Sequence, residues 1–561
     1  MKRFNTIILS LFALVAGFAV TACSDDKNTD NSALALLSCT PENGASITSE
    51  GTLTLTFSKN VRQAAGTTIS LNDEAVRVII NGNVVYCHYA LPYATELSLN
   101  IPAGALTDMD GIQKFEGISL TYPLMMKRKL FDAVVDANGH GDYTTVTDAI
   151  NAAPTSSTEP YLIFVADGKY NEMISLKSHP YIHLIGQSME DTRIQYTMNR
   201  VGNGDGDQGG ATAEAWQYSI KNPASPARQD KYTSSNEAVF LINETGGNDF
   251  HAENISFINL FGARTDAYGG LAMNGQADAV MTRADRVSFY NCRMVSLQDT
   301  WWVRMNNKEA MWNARNYADH CWIEGRTDYL YGNANALVEN TTFYNVAGGY
   351  AMTAGSHYEA TKWGFVMKNC TVDGDATVQD PATTMVSFGR PWQLSPRTVW
   401  INTTLNVPIK DGHWDDMSIL PKLYAEYNTT YNGQNVSIEE NIKKTYLVNG
   451  TPTPYEGPYL LSSISDYSYE NIIMAGDGWN PKEFYASVPE VVKSSIKLNG
   501  TTLSWEGSNT AICYLIFKLV DGKWQYMANT TDSSYEVDDA RGTYDVRASN
   551  RYGSLSAAAA I

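Results

Sequence analysis

Short strand-like segments recur in the middle of the chain, and each ends in an asparagine or a histidine before a turn. These residues follow one another at spacings of 37, 29, 20 and 29 residues; they are Asn254, Asn291, His320, Asn340 and Asn369. Irregular repeats of this length, with short strands and no helical periodicity, are typical of a solenoid whose coils carry loops of unequal size. We therefore predict an all-β chain built around a parallel β-helix. A β-propeller is the alternative, although its repeats would be more even.

The length and the charge of the chain limit its domains and its partners. A chain of 561 residues exceeds what one hydrophobic core usually holds, so we expect about two to four domains. The formal net charge is −19, and no run of lysine or arginine occurs. A surface that binds nucleic acid needs a basic field, so this composition excludes nucleic acid as a partner.

The N-terminus predicts export. Two basic residues precede an apolar run, Ile7–Val20, which is too short for a stable membrane span, so residues 1–22 are interpreted as a signal peptide. The sequence Val20–Cys23 resembles the bacterial lipoprotein cleavage box, in which Cys23 would be lipidated; secretion with an unmodified cysteine is the alternative. The acidic Ser24–Asp26 resembles a tag for surface display. We expect an outer-membrane lipoprotein exposed on the cell surface.

Two end segments have the alternation of small β-sandwiches. After a tether over residues 23–33, residues 34–125 alternate polar and apolar side chains. Their motifs resemble a bacterial Ig-like domain, and they are Pro41–Ala45, Phe57–Val61, Ile101–Leu106 and Asp108. Residues 485–561 alternate again and resemble a fibronectin type III-like domain through Leu503–Trp505, Tyr544–Ala548 and Asn550–Gly553. We interpret both domains as spacers rather than sugar-binding modules.

The cysteines and one glycine-rich insertion offer little for metal binding. Cys39 and Cys87 are candidates for a disulfide, whereas Cys292, Cys321 and Cys370 are interpreted as buried small hydrophobic residues. Neither a CxxC nor an HExxH motif occurs, so no metal or cofactor is predicted. The insertion over residues 201–230 is interpreted as a flexible loop, because it lacks the glutamate that ends a calcium-binding EF-hand loop.

Four short pieces together provide the groups for ester cleavage; they are Gly275–Ala277, Gln298–Thr300, Thr327–Gly332 and Gly389–Trp392. Taken singly, each piece is more often a turn, a cap or a loop. A serine hydrolase would need a Gly-x-Ser-x-Gly elbow, and the chain has none. Two neighbouring carboxyl groups do not both ionise easily, so one can act as an acid while the other, paired with arginine, stays charged.

In type and order these pieces resemble the pectin methylesterase (pectinesterase) family over some 350 residues, here 126–484. Further similar segments are Tyr143–Ile150, Gly168–Glu172, Asn254–Asn259 and Arg397–Val399. The resemblance implies a right-handed parallel β-helix, flanked here by the two small sandwiches. It also implies hydrolysis of the methyl ester at C6 of galacturonate in pectin, giving pectate and methanol. Pectin is then the partner, no cofactor is needed, and we expect a monomer.

The same resemblance assigns roles to five residues. Asp328 matches the nucleophile, and Asp299 matches the acid that protonates methanol and then serves as base for water. Gln276 and Gln298 match the amides that stabilise the tetrahedral oxyanion. Arg390 matches the guanidinium that orients the nucleophilic carboxylate and keeps it ionised.

Substrate contacts are inferred in the same way. Trp392 matches a stacking tryptophan, Trp302 and Tyr331 match aromatic positions of the cleft, and Thr233 matches a threonine that touches substrate. Packing within loops is the alternative for each of them. The chain departs from the family where Thr327-Asp328-Tyr329-Leu330-Tyr331 replaces the usual Val-Asp-Phe-Ile-Phe. This change alters the walls of the cleft and removes no catalytic group.

Three other functions stay open at this point. A β-helix esterase could act on acyl thioesters, a silent β-helix could only bind glycan, and a pectate lyase could cleave the polysaccharide backbone. Retention of Arg390 and of the cleft aromatics favours an acidic sugar ester. Retention of Asp299 and Asp328 argues against pure binding, and a lyase would need clustered calcium-binding carboxylates.

Overall fold

The structure is a computed structural model that describes residues 32–91, 94–198, 238–243, 246–305 and 313–561. It divides into two compact units: one runs to Pro123 without residues 92–95, and the other holds those residues and Leu124–Ile561. The predicted signal peptide, Cys23, Thr233 and the insertion over residues 201–230 lie outside the described residues. Across the described ranges, no helix is both long and apolar enough to cross a membrane.

The first unit consists of short antiparallel sheets, as its alternation predicts. One sheet contains, in order, Leu36–Thr40, Glu50–Phe57, Val84–Ala90 and Ile79–Asn81. A second contains Ile47–Thr48, Ile118–Met125, Glu96–Ile101, Ser70–Leu71 and Glu74–Ala75, and a separate pair joins Leu106–Asp108 to Val61–Gln63.

The candidate disulfide between Cys39 and Cys87 does not form, and both thiols are free. Cys39 lies opposite Leu55 and Cys87 lies opposite Leu53, on the two sides of strand Glu50–Phe57. The two cysteines are therefore about two strand spacings apart, roughly 10 Å. A disulfide needs Cα atoms within about 7 Å, so the intervening strand prevents the bond.

The second unit is dominated by three sheets of mostly parallel strands, which the chain visits in turn in most coils. Sheet 1 contains Ala133–Val135, Tyr161–Val165, Ile182–Gly186, Phe250–Glu253, Val287–Tyr290, Arg315–Asp319, Asn335–Glu339, Phe365–Lys368, Arg397–Ile401 and Leu423–Tyr427. Sheet 2 contains Gly168–Asn171, Thr192–Tyr196, Ser256–Asn259, Arg293–Val295, Trp322–Gly325, Thr342–Asn345, Thr371–Gly374, Thr404–Leu405, Thr430–Tyr431 and Gln434–Asn435. Sheet 3 contains Ile174–Leu176, Ala238–Ile242, Asp278–Thr282, Trp301–Val303, Leu330–Gly332, Thr353–Gly355 and Arg390–Pro391. The predicted all-β class and parallel β-helix are confirmed, because neighbours within each sheet come from successive coils, apart from the final antiparallel pair of Thr430–Tyr431 with Gln434–Asn435.

Helices and small hairpins are minor parts of this unit. Within the described residues, the α-helices are Val146–Asn151, Thr265–Tyr268 and Lys482–Ala486. The 3-10 turns of the same residues are Ala376–Val378, Glu439–Asn441, Ser465–Tyr467 and Lys493–Ser495, and Glu470–Met474 forms a π-turn. One antiparallel hairpin joins Thr445–Val448 to Thr451–Pro454.

The recurring asparagine or histidine is the corner residue between sheets 1 and 2. All five have left-handed backbone, with φ between 48° and 57°, and Asn402 and Asn428 continue the series. Asparagine adopts this conformation more readily than most residues. The amide of Asn402 donates to Asn369 at 3.1 Å and that of Asn428 donates to Asn402 at 3.1 Å, so part of the corner is a ladder of side chains. Cys292, Cys321 and Cys370 each follow a corner residue and are buried, as predicted.

The C-terminal segment forms two three-stranded antiparallel sheets, Lys497–Asn499, Thr502–Ser504 and Ser534–Glu536 in one, and Lys523–Thr530, Cys513–Val520 and Tyr544–Ser549 in the other. The second sheet shares a hydrophobic core with the outer face of sheet 1. In that core the rings of Phe517 and Phe164 lie 6.0 Å apart. The segment is therefore docked on the β-helix, a closer association than a spacer requires.

Candidate active site

Two aspartates lie on neighbouring coils just before strands of sheet 3. Gln276, Gln298 and Thr327 align as parallel bridges on three successive coils. Asp299 follows Gln298 directly, and Asp328 follows Thr327. Adjacent strands of a sheet are about 4.8 Å apart, so the register brings the two carboxylates and the two glutamines together at the N-terminal ends of neighbouring strands of sheet 3.

Both aspartates have left-handed backbone and little exposure to solvent. Their φ angles are 62° at Asp299 and 52° at Asp328, and their exposed fractions are 3% and 6%. Aspartate tolerates this conformation because its short side chain can bond to nearby backbone, and such residues concentrate at functional sites. The same left-handed backbone conformation therefore occurs twice, one coil apart, at the two residues that carry the carboxylates.

Arg390 forms a two-point ion pair with Asp328. Its Nε atom donates to Oδ1 at 3.0 Å and its Nη2 atom donates to Oδ2 at 2.7 Å. The preceding Gly389 is needed for close approach, because a Cβ atom there would lie 2.2 Å from Oγ1 of Thr353. The glycine thus lets the strand Arg390–Pro391 pair with Thr353–Gly355 in sheet 3, where the guanidinium reaches Asp328.

Burial and charge act in opposite directions on this pair. Burial raises the pKa of the Asp328 carboxyl above its ordinary value, while the charge and hydrogen bonds of Arg390 lower it. Burial likewise disfavours the charged form of Arg390, yet the carboxylate of Asp328 raises the pKa of the guanidinium overall. A fork-to-fork pair of this kind favours the ionised carboxylate, the form that a nucleophile needs.

Aromatic side chains line the outer face of sheet 3 beside the carboxylates. Trp302 and Tyr331 are register neighbours, and their rings stack at 5.2 Å with an angle of 16°. They are only 5% and 3% exposed, and the Tyr331 hydroxyl donates to Asp278 at 2.7 Å. Trp392 is half-buried and its ring lies 5.9 Å from that of Tyr331. Trp392 therefore offers the accessible ring, and the other two form the base beneath it.

A model of the Pectinesterase family matches residues 132–215 and 224–446, more than half of the chain. The chain belongs to the pectinesterase family. The match encloses both aspartates, both glutamines, Arg390 and Trp392. Among the described residues, no three histidine, cysteine, aspartate or glutamate side chains are placed to hold a metal ion.

Individual pectinesterases are similar over most of this region. The chain is 28% identical to "Probable pectinesterase A" of Neosartorya fischeri over 357 residues, which is 63% of this chain and 90% of the relative. It is 25% identical to "Probable pectinesterase/pectinesterase inhibitor 41" of Arabidopsis thaliana, covering 64% of this chain and 57% of the plant protein.

Two solved pectin methylesterases are similar as well. The enzyme from carrot is 23% identical with a TM-score of 0.45, over 61% of this chain and 93% of its own. The enzyme from Aspergillus niger is 22% identical with a TM-score of 0.44, over 62% and 94%.

Three side chains beside Arg390 were not predicted from the pectinesterase motifs. Tyr350, Lys410 and Asp415 come from two loops that the sequence separates by 60 residues and more. None of them belongs to a repeated segment or to one of the four pieces, so no local pattern marks them. Thr233, the fourth predicted substrate contact, lies outside the described residues.

Proposed function

We propose that this site removes the methyl ester from C6 of galacturonate in pectin, with Asp328 as the nucleophile. Membership of the pectinesterase family supplies the reaction class. The observation that supports the division of roles is the two-point pair between Arg390 and Asp328, because such a pair favours the ionised form of the Asp328 carboxyl. The paired carboxylate is suited to attack, and its neighbour is suited to proton transfer.

In the first half of the reaction, a carboxylate oxygen of Asp328 attacks the ester carbonyl carbon. The carbonyl oxygen becomes an oxyanion, which accepts hydrogen bonds from the amides of Gln276 and Gln298. The intermediate collapses by breaking the bond to the methoxy oxygen, and Asp299 donates its proton so that methanol leaves. The product of this half is an acyl-enzyme in which the sugar carboxyl is joined to Asp328.

The second half returns the enzyme to its starting state. Asp299, now ionised, takes a proton from water, and the hydroxide attacks the carbonyl carbon of the sugar acyl group. The bond to the Asp328 oxygen breaks, which releases the galacturonic acid carboxyl group and restores the pair with Arg390; the released acid then ionises in water. One ester and one water give one carboxylic acid and one methanol.

We assign sugar contacts to the aromatic face. Sugar rings carry apolar C–H faces that stack on aromatic side chains, and Trp392 is the half-buried ring beside the carboxylates. Trp302 and Tyr331 act mainly by holding that surface flat, since both are almost fully buried. Thr233 is retained as a contact on the family resemblance alone.

A comparison of three substrates tests the reaction class. The exported chain is assayed for methanol release from highly methylated pectin, for cleavage of an acyl coenzyme A thioester, and for unsaturated products from unmethylated polygalacturonate. We expect methanol from pectin and neither of the other products. Thioester cleavage without methanol would indicate a different ester target, and unsaturated products would indicate a lyase. Binding to pectin without any product would indicate a silent glycan-binding protein.

We further propose that Cys23 carries a lipid that holds the protein at the outer membrane, facing the outside of the cell. The cleavage box and the acidic residues after it support this proposal. A Cys23→Ser variant should leave the membrane fraction for the soluble fraction, and protease added to whole cells should degrade the parent protein. Protection of the parent from protease would contradict surface display.

The end segments are proposed to be an Ig-like domain over residues 34–125 and a fibronectin type III-like domain over residues 485–561. Their antiparallel sheets and short strands support both assignments. The enzyme is proposed to act as a monomer on single pectin chains. Sedimentation of the exported chain at one molecular mass across a range of concentrations would support that state, and a concentration-dependent mass would contradict it.

A further inference from the structure

Arg390 has a second neighbour besides Asp328. The guanidinium carbon lies 5.4 Å from the centre of the Tyr350 ring, and Nζ of Lys410 lies 5.9 Å from the same centre. Cations within about 6 Å of an aromatic face are attracted by its electrons. The Tyr350 ring therefore lies near two cations, and of the two it is Arg390 that also contacts the proposed nucleophile.

Asp415 connects Lys410 to the backbone beside Arg390. It accepts a hydrogen bond from Lys410 Nζ at 2.9 Å, and burial together with the negative charge of Asp415 raises the pKa of the Tyr350 hydroxyl. The backbone N–H of Asp415 donates to the carbonyl of Gly389 at 3.0 Å, one residue before Arg390. The loop that carries Lys410 and Asp415 thus contacts both the backbone just before Arg390 and the Tyr350 ring.

We propose that Tyr350, Lys410 and Asp415, together called the Arg390 support, are positioning residues that hold the guanidinium in place and balance the charge around Asp328. This inference rests on the proposed roles of Asp328 and Arg390. Two ion pairs, Asp328 with Arg390 and Asp415 with Lys410, therefore lie around the Tyr350 ring. Each support residue acts through Arg390 or through its charge and does not need to touch the substrate.

The negative charge of Asp415 affects the pKa of the proposed nucleophile, Asp328. Burial is the largest influence that raises the pKa of Asp328, and the negative charge of Asp415 adds to it. Although burial opposes ionisation of Asp415, its hydrogen bond from Lys410 lowers the pKa of that carboxyl. The other charged or titratable groups around Asp328 are Asp299, Arg390, Tyr329, Tyr350 and Tyr424. Of these, Tyr350 also responds to Asp415, whose charge adds to the effect of burial in raising the pKa of the Tyr350 hydroxyl.

Two substitutions should therefore move the pH profile in opposite directions. Asp415→Asn removes a negative charge and leaves Lys410 in excess, so Asp328 ionises at lower pH. Lys410→Met leaves Asp415 uncompensated, so Asp328 ionises at higher pH. We expect the acid limb of kcat/KM for methanol release to shift by about 0.5 to 1 pH unit down in the first variant and up in the second. The double variant should return close to the parent profile.

The ring of Tyr350 is tested separately. Tyr350→Phe keeps the aromatic face and loses the hydroxyl, whereas Tyr350→Leu loses the face. We expect the leucine variant to lose about tenfold in kcat with little change in KM, and the phenylalanine variant to lose much less. Equal losses in the two variants would overturn the role of the ring.

A neighbouring aspartate provides the control. Asp416→Asn makes the same charge change one residue away, but the Asp416 carboxylate pairs with Lys443 at 2.7 Å. The acid limb of kcat/KM for this variant should therefore match that of the parent. Shifts of Asp415→Asn and Lys410→Met in the same direction, or no shift in either, would overturn the inference.

The protonation of Asp328 can also be measured independently of activity, by pH-dependent esterification with a diazo reagent followed by peptide mass spectrometry. If the two variants shift the esterification profile in opposite directions but the parent releases no methanol, the positioning role of the Arg390 support would stand and the proposed reaction would be rejected.

Discussion

Asp299 and Asp328 are the same amino acid in the same backbone turn, and their neighbours differ. Asp328 receives two hydrogen bonds from Arg390, at 3.0 and 2.7 Å. The four motif pieces allowed these residues to be predicted, because each piece keeps its catalytic groups adjacent in the chain. Tyr350, Lys410 and Asp415 could not be predicted in that way, since they meet only after two loops fold against Arg390.

The first prediction concerns the fork of Arg390. Arg390→Lys keeps the positive charge and loses the planar two-point pairing, so the orientation of Asp328 is lost. We expect kcat to fall about tenfold or more, and the acid limb of kcat/KM to move to higher pH because a hydrogen bond to the ionised carboxylate is lost.

A matched pair elsewhere provides the control for this substitution. Arg286 makes the same kind of two-point pair with Asp249, outside the proposed site. Arg286→Lys should leave kcat and the pH profile unchanged. If both variants lost the same activity, general destabilisation would explain the effect better than a role for Arg390.

The second prediction concerns an oxyanion donor. Gln276→Ala removes one amide that is proposed to bond the tetrahedral intermediate, and such a donor is worth on the order of 3 kcal/mol in a dry site. We expect kcat to fall about a hundredfold while the free energy of unfolding changes by less than about 0.5 kcal/mol. Methanol release and urea denaturation measure the two quantities. A loss of stability that matches the loss of activity would contradict the assignment.

At the scale of elements, the corner asparagines explain how irregular repeats give a regular β-helix. Loops between the corners vary in length, while each corner has a residue with left-handed backbone, and at several corners its side chain bonds to the corner of a neighbouring coil. The sequence therefore allowed the coils to be recognised by their corners, although strand periodicity was weak. Sheet 3 was harder to predict, because its strands are as short as Arg390–Pro391 and carry no repeated residue.

The third prediction tests a corner. Asn402 has φ of 53° and bonds to both Asn369 and Asn428. Asn402→Ala loses both side-chain bonds and places alanine in a conformation that costs about 1–2 kcal/mol, so we expect a loss of about 2 kcal/mol in the free energy of unfolding. Asn402→Gly should lose less, because glycine adopts this conformation without strain. Equal losses in the two variants would show that backbone strain has no part in the effect.

At the scale of the whole chain, the docking of residues 485–561 on the β-helix is the main feature that the sequence analysis missed. The run Ala511–Phe517 contains no charged residue, and its strand is buried on both faces. A continuous apolar run indicates a strand that is covered on both sides. The sequence thus contained a signal that something covers this sheet, but alternation within one strand does not identify the covering surface.

The fourth prediction concerns a buried carboxyl at this docked surface. Glu253 of sheet 1 bonds to Ser554, and burial raises the pKa of Glu253 from 4.5 to about 7. The nearby imidazole of His251 is neutral, because burial lowers its pKa to about 3. A raised folded-state pKa of an acid means that stability is full below pH 4.5 and is lost as pH rises towards about 7.

Glu253→Gln should remove this loss. We expect the variant to equal the parent near pH 4.5 and to exceed it by up to about 3 kcal/mol at pH 8, as measured by urea denaturation across the range. Glu159→Gln, at an exposed position, should follow the parent at every pH. A constant difference between Glu253→Gln and the parent would contradict the predicted pKa of Glu253.

The most direct test of the central claim is methanol release from highly methylated pectin by the parent, by Asp328→Ala and by Asp266→Ala, with folding matched by circular dichroism. Asp266 is exposed on the helix Thr265–Tyr268, so its variant should match the parent. The account predicts that Asp328→Ala loses at least about a thousandfold in kcat, because no other group can form the acyl-enzyme. Release by Asp328→Ala within about tenfold of the parent would contradict the assignment of the nucleophile.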